Sequence, residues 1–220
     1  MSKIVKSETN GIEEMLAAYV AGRLPAPLNA LFAAHLELSP ANRDYVRALE
    51  AAAGAALVDG PLAPITRRDA KLAAIFALDA VPARPRVVMP ETPDLLPRAL
   101  KRFLGKGLNE ISWKRALPGV REYKIMEGER GDVSLFWIGA GKKMPTHTHE
   151  GSEVTLVIQG GFTDVIGHYG VGDVAIADQD VDHRPVADDD GEDCLCFAVA
   201  DAPLVLTGAF GRWVEPFRKH

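Results

Sequence analysis

The chain has 220 residues, 47% hydrophobic and 25% charged, an ordinary soluble globular composition with enough length for two small domains. A formal net charge of -5 offers no basic footprint for phosphate backbones, which disfavours direct nucleic-acid binding. Any effect on transcription would then pass through a protein partner. No stretch approaches the roughly 18 uninterrupted apolar residues of a membrane span, and "MSKIVKSETNGIEEML" lacks a signal-peptide core, so the expected location is the cytoplasm, away from membranes.

The first eighty residues have helical periodicity. In "GIEEMLAAYVAG" the residues Ile12, Met15, Leu16, Tyr19 and Val20 recur at steps of three and four, a stripe that Gly22 can end. "PLNALFAAHLEL" predicts a second helix with Leu28, Leu31, Phe32 and His35 on one side. A third starts at "SPANRDY", with Ser39 as N-cap and Pro40 at the first helical position, where its missing N–H costs nothing. Thr66 opens a fourth in "TRRDAKLAAIFALD". Four short amphipathic helices with short connections predict an all-α bundle over residues 1–80.

The pattern then changes. "VPARPRVVMPETPDLLP" carries five prolines in seventeen residues and reads as a solvated linker over 81–96. A helix is expected after Pro97, in "RALKRFLGKG". Beyond it the period becomes two, in "REYKIM", "DVSLFWIG", "EVTLVIQG", "FTDVIGHYG", "DVAIAD" and "CLCFAVA". These short runs predict an antiparallel β-barrel or sandwich over 97–220, making the whole chain α+β. Cys194 and Cys196, the only cysteines, read as small buried side chains on one strand face, and the acidic run Asp188–Asp193 as a solvated turn.

The chemistry-bearing stretch is "THTHEGSE". On a strand His147 and His149 share a face with Thr148 opposite, and the "EGS" turn lets Glu153 start the next strand on the same side. His183 follows the predicted strand "DVAIAD" and can be brought alongside by a loop. Three imidazoles and a carboxylate suit zinc, iron, manganese, nickel or copper, and spacing does not choose among them.

The frame around the pair is more specific than the pair. Gly141, five residues, His147-x-His149, three residues, Glu153, six residues and Gly160 together resemble the first cupin motif. Of the second motif, Gly172, Asp173 and His183 keep their spacing, while Asp178 and Asp180 replace its Pro-x-Gly turn. More widely, "MLAAYVAGRLPAPLNALFAAHLELSPANRDYVRALE" followed by this cupin and "ADQDVDHRPVADDDGEDCLCFAVADAPL" resembles the ChrR family of anti-sigma factors over nearly the whole chain. That resemblance implies a helical domain that sequesters an ECF-type sigma factor and a cupin (double-stranded β-helix) serving as a metal-binding stress sensor. It implies His147, His149, Glu153 and His183 as ligands of one divalent metal per chain, zinc first, with iron, manganese or nickel as alternatives.

One departure stands out. The family's helical domain holds its own zinc through HxxxCxxC and an upstream histidine. Here His35 keeps the first place, but Ser39 and Asn42 stand at the cysteine places and Asn10 or a neighbour at the upstream histidine. Hydroxyl and amide oxygens are poor substitutes for thiolates, so the N-terminal metal is expected to be absent and His35 to be a hydrogen-bonded core residue. The helical part would then either hold its sigma factor without metal or survive as a dimerisation module; a homodimer through the cupin is a further expectation. A reading from another class is a cupin dioxygenase or lyase acting on a small carbonyl compound, with His168, Tyr169, Asp178 and Asp180 the nearest acid–base candidates.

Overall fold

The structure is a computed structural model that describes residues 9–78, 94–128, 131–202 and 204–207. Five α-helices come first: α1 (Thr9–Val20), α2 (Ala26–Leu38), α3 (Ala41–Val58), α4 (Arg68–Phe76) and α5 (Arg98–Leu104). The strands are β1 (Lys114–Leu117), β2 (Val120–Met126), β3 (Asp132–Ile138), β4 (His147–His149), β5 (Glu153–Gln159) and β6 (Phe162–Thr163). They continue with β7 (His168–Tyr169), β8 (Val174–Ala177), β9 (Val186–Ala187), β10 (Cys194–Ala200) and β11 (Leu204–Leu206). Every pairing is antiparallel, in a six-stranded sheet of order β1-β2-β3-β10-β5-β8, a three-stranded sheet β7-β6-β9 and the pair β11-β4.

The period of two explains how one sheet serves two cores. On β10, Leu195, Phe197 and Val199 join a cluster that includes Leu16, Leu31 and Phe32 of the helices, while Cys194 and Cys196 face the β interior with Val157 and Phe162. On β5, Val154, Leu156 and Ile158 face the helices. A strand covered on both faces reads as an unbroken apolar run, as "CLCFAVA" does. The helical stripes thus close on the sheet: Phe103 of α5 meets Phe197 edge-on, with ring centroids 6.1 Å apart.

Several boundaries differ from the sequence expectation. Gly22 does end α1, at φ +64, where its N–H bonds to Tyr19 O and that of Arg23 to Ala18 O. Ser39 is extended and Pro40 already helical in its dihedrals, yet no side chain caps α3. The α2–α3 corner is held instead by Arg43, whose guanidinium donates to Leu36 O at 2.6 Å and Glu37 O at 2.7 Å. α4 starts past Thr66, after Arg67 in the left-handed region. "FTDVIGHYG" is not one strand but β6 and β7 around an Asp164 turn. Most of the expected linker 81–96 lies outside the described residues.

The expected bundle packing is uneven. α3 buries only Val46 and α4 buries nothing, which leaves Leu57, Val58, Leu62, Ile65, Ile75, Phe76 and Leu78 exposed. The acidic run is only partly a solvated turn. Asp193 accepts the Trp137 indole N–H at 2.7 Å and the Ala140 amide at 3.1 Å, pinning the loop to β3.

Candidate metal centre

The local fold converges four side chains. On β4, His147 and His149 point inward and are buried, while the hydroxyl of Thr148 donates to Gln179 O at 3.0 Å. After the turn at 150–152, Glu153 is the first residue of β5. His183 arrives through two reciprocal backbone hydrogen bonds with His147, each 3.0 Å, which set the two residues side by side. The loop before it turns at Asp178, whose carboxylate and carbonyl accept the Asp180 and Val181 amides at 3.0 Å each. An Asx turn thus does the work of the missing Pro-x-Gly.

His147 Nδ1 lies 2.8 Å from Pro145 O, and a carbonyl can only accept, so Nδ1 carries the hydrogen. His183 Nδ1 lies 3.1 Å from the carboxylate of Asp164 and carries its hydrogen for the same reason. In the neutral rings both Nε2 atoms are then bare lone pairs, yet they sit 3.0 Å apart, with His149 Nε2 3.4 Å from His183 Nε2. Glu153 Oε2 is 3.6 Å from His149 Nε2, and one atom from each of the four residues lies within 4.8 Å of the others.

Burial opposes placing a proton on His147 or His149. Burial, ahead of repulsion from its histidine neighbours, lowers the pKa of His147, and burial with the charge of His183 pushes that of His149 down to about 4. Two lone pairs, a third imidazole nitrogen and a carboxylate facing one point are stable around a cation: bonds of roughly 2.0–2.1 Å to one ion place donor atoms about 3–3.4 Å apart. His149 Nδ1 is the only buried side-chain nitrogen or oxygen without a hydrogen-bond partner among the described residues. The cluster can hold a divalent metal.

Asp164 was not legible as part of this site. Its side chain is buried, its carboxylate accepts the Ile166 and Gly167 amides at 2.8 and 3.2 Å, and the same group holds His183. Carboxylate support of this kind fixes a ligand's tautomer and orientation. Its pKa is lowered by hydrogen bonds from His183 and those amides, against an opposing burial effect. The only hint in the sequence was an aspartate three residues before a glycine in a strand-like run.

Beside the cluster is an apolar cavity of about 50 Å³, lined by Phe136, Met144, Phe162 and Ile166 together with Cys196. The two cysteine sulfurs are 3.7 Å apart, both buried, and the Cys196 thiol is pushed well up by its neighbour Cys194 and by burial. None of His168, Tyr169, Asp178 or Asp180 lines this cavity. His168 pairs with Asp188 at 2.8 Å and Tyr169 stacks on Phe162.

Comparison with known proteins fits both halves. Residues 105–202 match the ChrR cupin-like domain family. The chain is 35% identical over 206 residues to the anti-sigma-E factor ChrR of Cereibacter sphaeroides, covering 93% of this chain and 95% of that protein. The chain belongs to the ChrR family. The crystal structure of Rhodobacter sphaeroides SigE in complex with the anti-sigma ChrR superposes with a TM-score of 0.71 at 31% identity, covering 86% of this chain and 96% of that one.

The second metal that the ChrR resemblance implies, at the α2–α3 corner, does not fit. Both ring nitrogens of His35 are engaged: Nδ1 is 2.6 Å from Gly172 O, and the Asn42 amide nitrogen is 2.9 Å from Nε2. Because the carbonyl can only accept, Nδ1 is the donor and Nε2 accepts from Asn42, which leaves no lone pair for an ion. Among the described residues, His147, His149, Glu153 and His183 form the only group of three or more His, Cys, Asp or Glu that could hold a metal.

Proposed function

We propose that this protein is an anti-sigma factor that sequesters an ECF-type sigma factor through its helices and carries a metallo-cupin as stress sensor. The observation that carries this reading is the likeness to ChrR in complex with SigE, which spans helices and sheets together rather than the cupin alone. The metal ligands are His147, His149, Glu153 and His183, and the metal is zinc, which suits a set of three imidazoles and one carboxylate. Bound there, it closes the lone-pair cluster and ties β4, β5 and the His183 loop into one unit.

The helical half supports a partner of its own. Leu57 and Val58 at the end of α3, Leu62 and Ile65 after it, and Ile75 and Phe76 on α4 are apolar and exposed, Leu57 at 83% and Phe76 at 82%. Exposed apolar side chains of this kind are what a protein partner covers. Boundaries of 1–80, 81–96 and 97–220 assign these residues to the helical domain and the metal to the cupin. The enzyme reading has less behind it: the proton-transfer groups lining the cavity beside the cluster are the proposed ligands, Asp164 and the thiol of Cys196, whose pKa is pushed well up by Cys194 and by burial.

The test is co-expression of the full chain with ECF-type sigma factors from the same organism. One of them co-purifies, and a Leu57→Asp, Phe76→Asp variant loses it while keeping its circular dichroism and metal content. Failure of every such sigma factor to co-purify overturns the reading.

A further inference from the structure

The corner where α2 meets α3 does a job of its own. His35 is 2% exposed and lies edge-on to Phe32, with ring centroids 6.2 Å apart. Its Nδ1–H reaches 137 residues along the chain to the carbonyl of Gly172, in the turn between β7 and β8. Gly172 has φ +88, and a Cβ there would lie 3.2 Å from Leu38 Cβ, so the turn presses directly on the end of α2. The same turn is paired into the sheet, Gly172 N–H to Val157 O at 2.9 Å and Val157 N–H to Asp173 O at 3.1 Å.

Neighbouring residues extend the hold. Glu37 accepts the first amides of α5, from Arg98 and Ala99, at 2.9 Å each, so its carboxylate caps that helix. Asn42 on α3 fixes the far side of the His35 ring, and Arg43 caps the carbonyl end of α2. One corner therefore touches α2, α3, α5 and the β7–β8 turn. That turn leads into β8, whose Ala175 and Ala177 line the cavity beside the metal cluster.

We propose that the His35–Asn42–Gly172 contact is a metal-free clasp that fixes the helices on the cupin sheet, at the place where the family pattern puts a zinc site. The clasp sets the position of the helices by hydrogen bonds from a neutral imidazole, so that position is indifferent to zinc. It goes beyond the anti-sigma reading and stands or falls without any partner present.

The experiment is backbone amide hydrogen exchange on the full chain. His35→Ala speeds exchange at the Gly172 and Val157 amides at least tenfold. His35→Asn, whose amide lies near the Nδ1 position, restores much of the protection, and Asn42→Ala gives a smaller acceleration. In a His147→Ala, His149→Ala background, which lacks the cupin cluster, adding zinc leaves exchange across 35–43 unchanged. Exchange at Gly172 and Val157 that ignores His35→Ala overturns the clasp. So does zinc-dependent protection of 35–43 that His35→Ala abolishes.

Discussion

Two groups of buried histidine in this molecule meet opposite fates. At the α2–α3 corner the protein supplies a partner for each nitrogen of His35, a carbonyl for Nδ1 and an amide donor for Nε2. In the cupin, Pro145 and Asp164 supply partners for the Nδ1 atoms of His147 and His183 only, and the Nε2 atoms of His147, His149 and His183 converge on one another. A buried imidazole completed at both nitrogens has no lone pair left for an ion, and one completed at a single nitrogen could offer the other to a metal. Burial alone does not separate the two, because His35, His147, His149 and His183 are all at most 4% exposed.

Breaking the cupin side has the largest expected effect. His147→Ala with His149→Ala removes two of four donors and weakens zinc at least about a hundredfold, read by competition with a coloured chelator. Asp164→Ala leaves all four ligands but frees His183, and the loss is about 10- to 100-fold. Asp164→Asn, which keeps an acceptor for Nδ1–H, loses less, and the nitrogen NMR shifts of His183 report its tautomer directly.

Breaking the corner costs stability instead of metal. His35→Ala leaves the Gly172 carbonyl and the Asn42 amide unpaired and costs about 2–3 kcal/mol in urea unfolding, with metal content unchanged. The smallest effect is a pH dependence. Burial lowers the pKa of His35 below its ordinary 6.5, against the Gly172 hydrogen bond and the charge of Asp173, which raise it. Its folded value lies below its unfolded one, so its contribution is complete above pH 6.5 and is lost as pH falls below that, when only the unfolded chain takes up the proton. The acid limb of stability is therefore steeper in the native protein than in His35→Asn, by at most about 1.4 kcal/mol per pH unit.

How much of this was legible in the sequence follows from the range of each signal. His147, His149 and Glu153 were legible because strand alternation and a three-residue turn are local rules, and His183 because its spacing from Gly172 survives. The antiparallel strands were legible wherever a run had one period, and "FTDVIGHYG" misled because two short strands and an Asx turn mimic it. Asp164 was missed because what matters is a contact across 19 residues that no period encodes. The apolar face of His35 correctly suggested a hydrogen-bonded core residue, but its partner on Gly172 is set by helix-on-sheet packing. The same packing explains why α3 and α4 have apolar residues that find no cover within the described chain.

The most direct test of the contrast between the two histidine sites is the metal content of the full-length protein, purified with zinc in excess and then desalted. The account predicts one zinc per chain, retained in His35→Ala and absent from His147→Ala, His149→Ala. Two zinc ions per chain, one of them lost in His35→Ala, would contradict it.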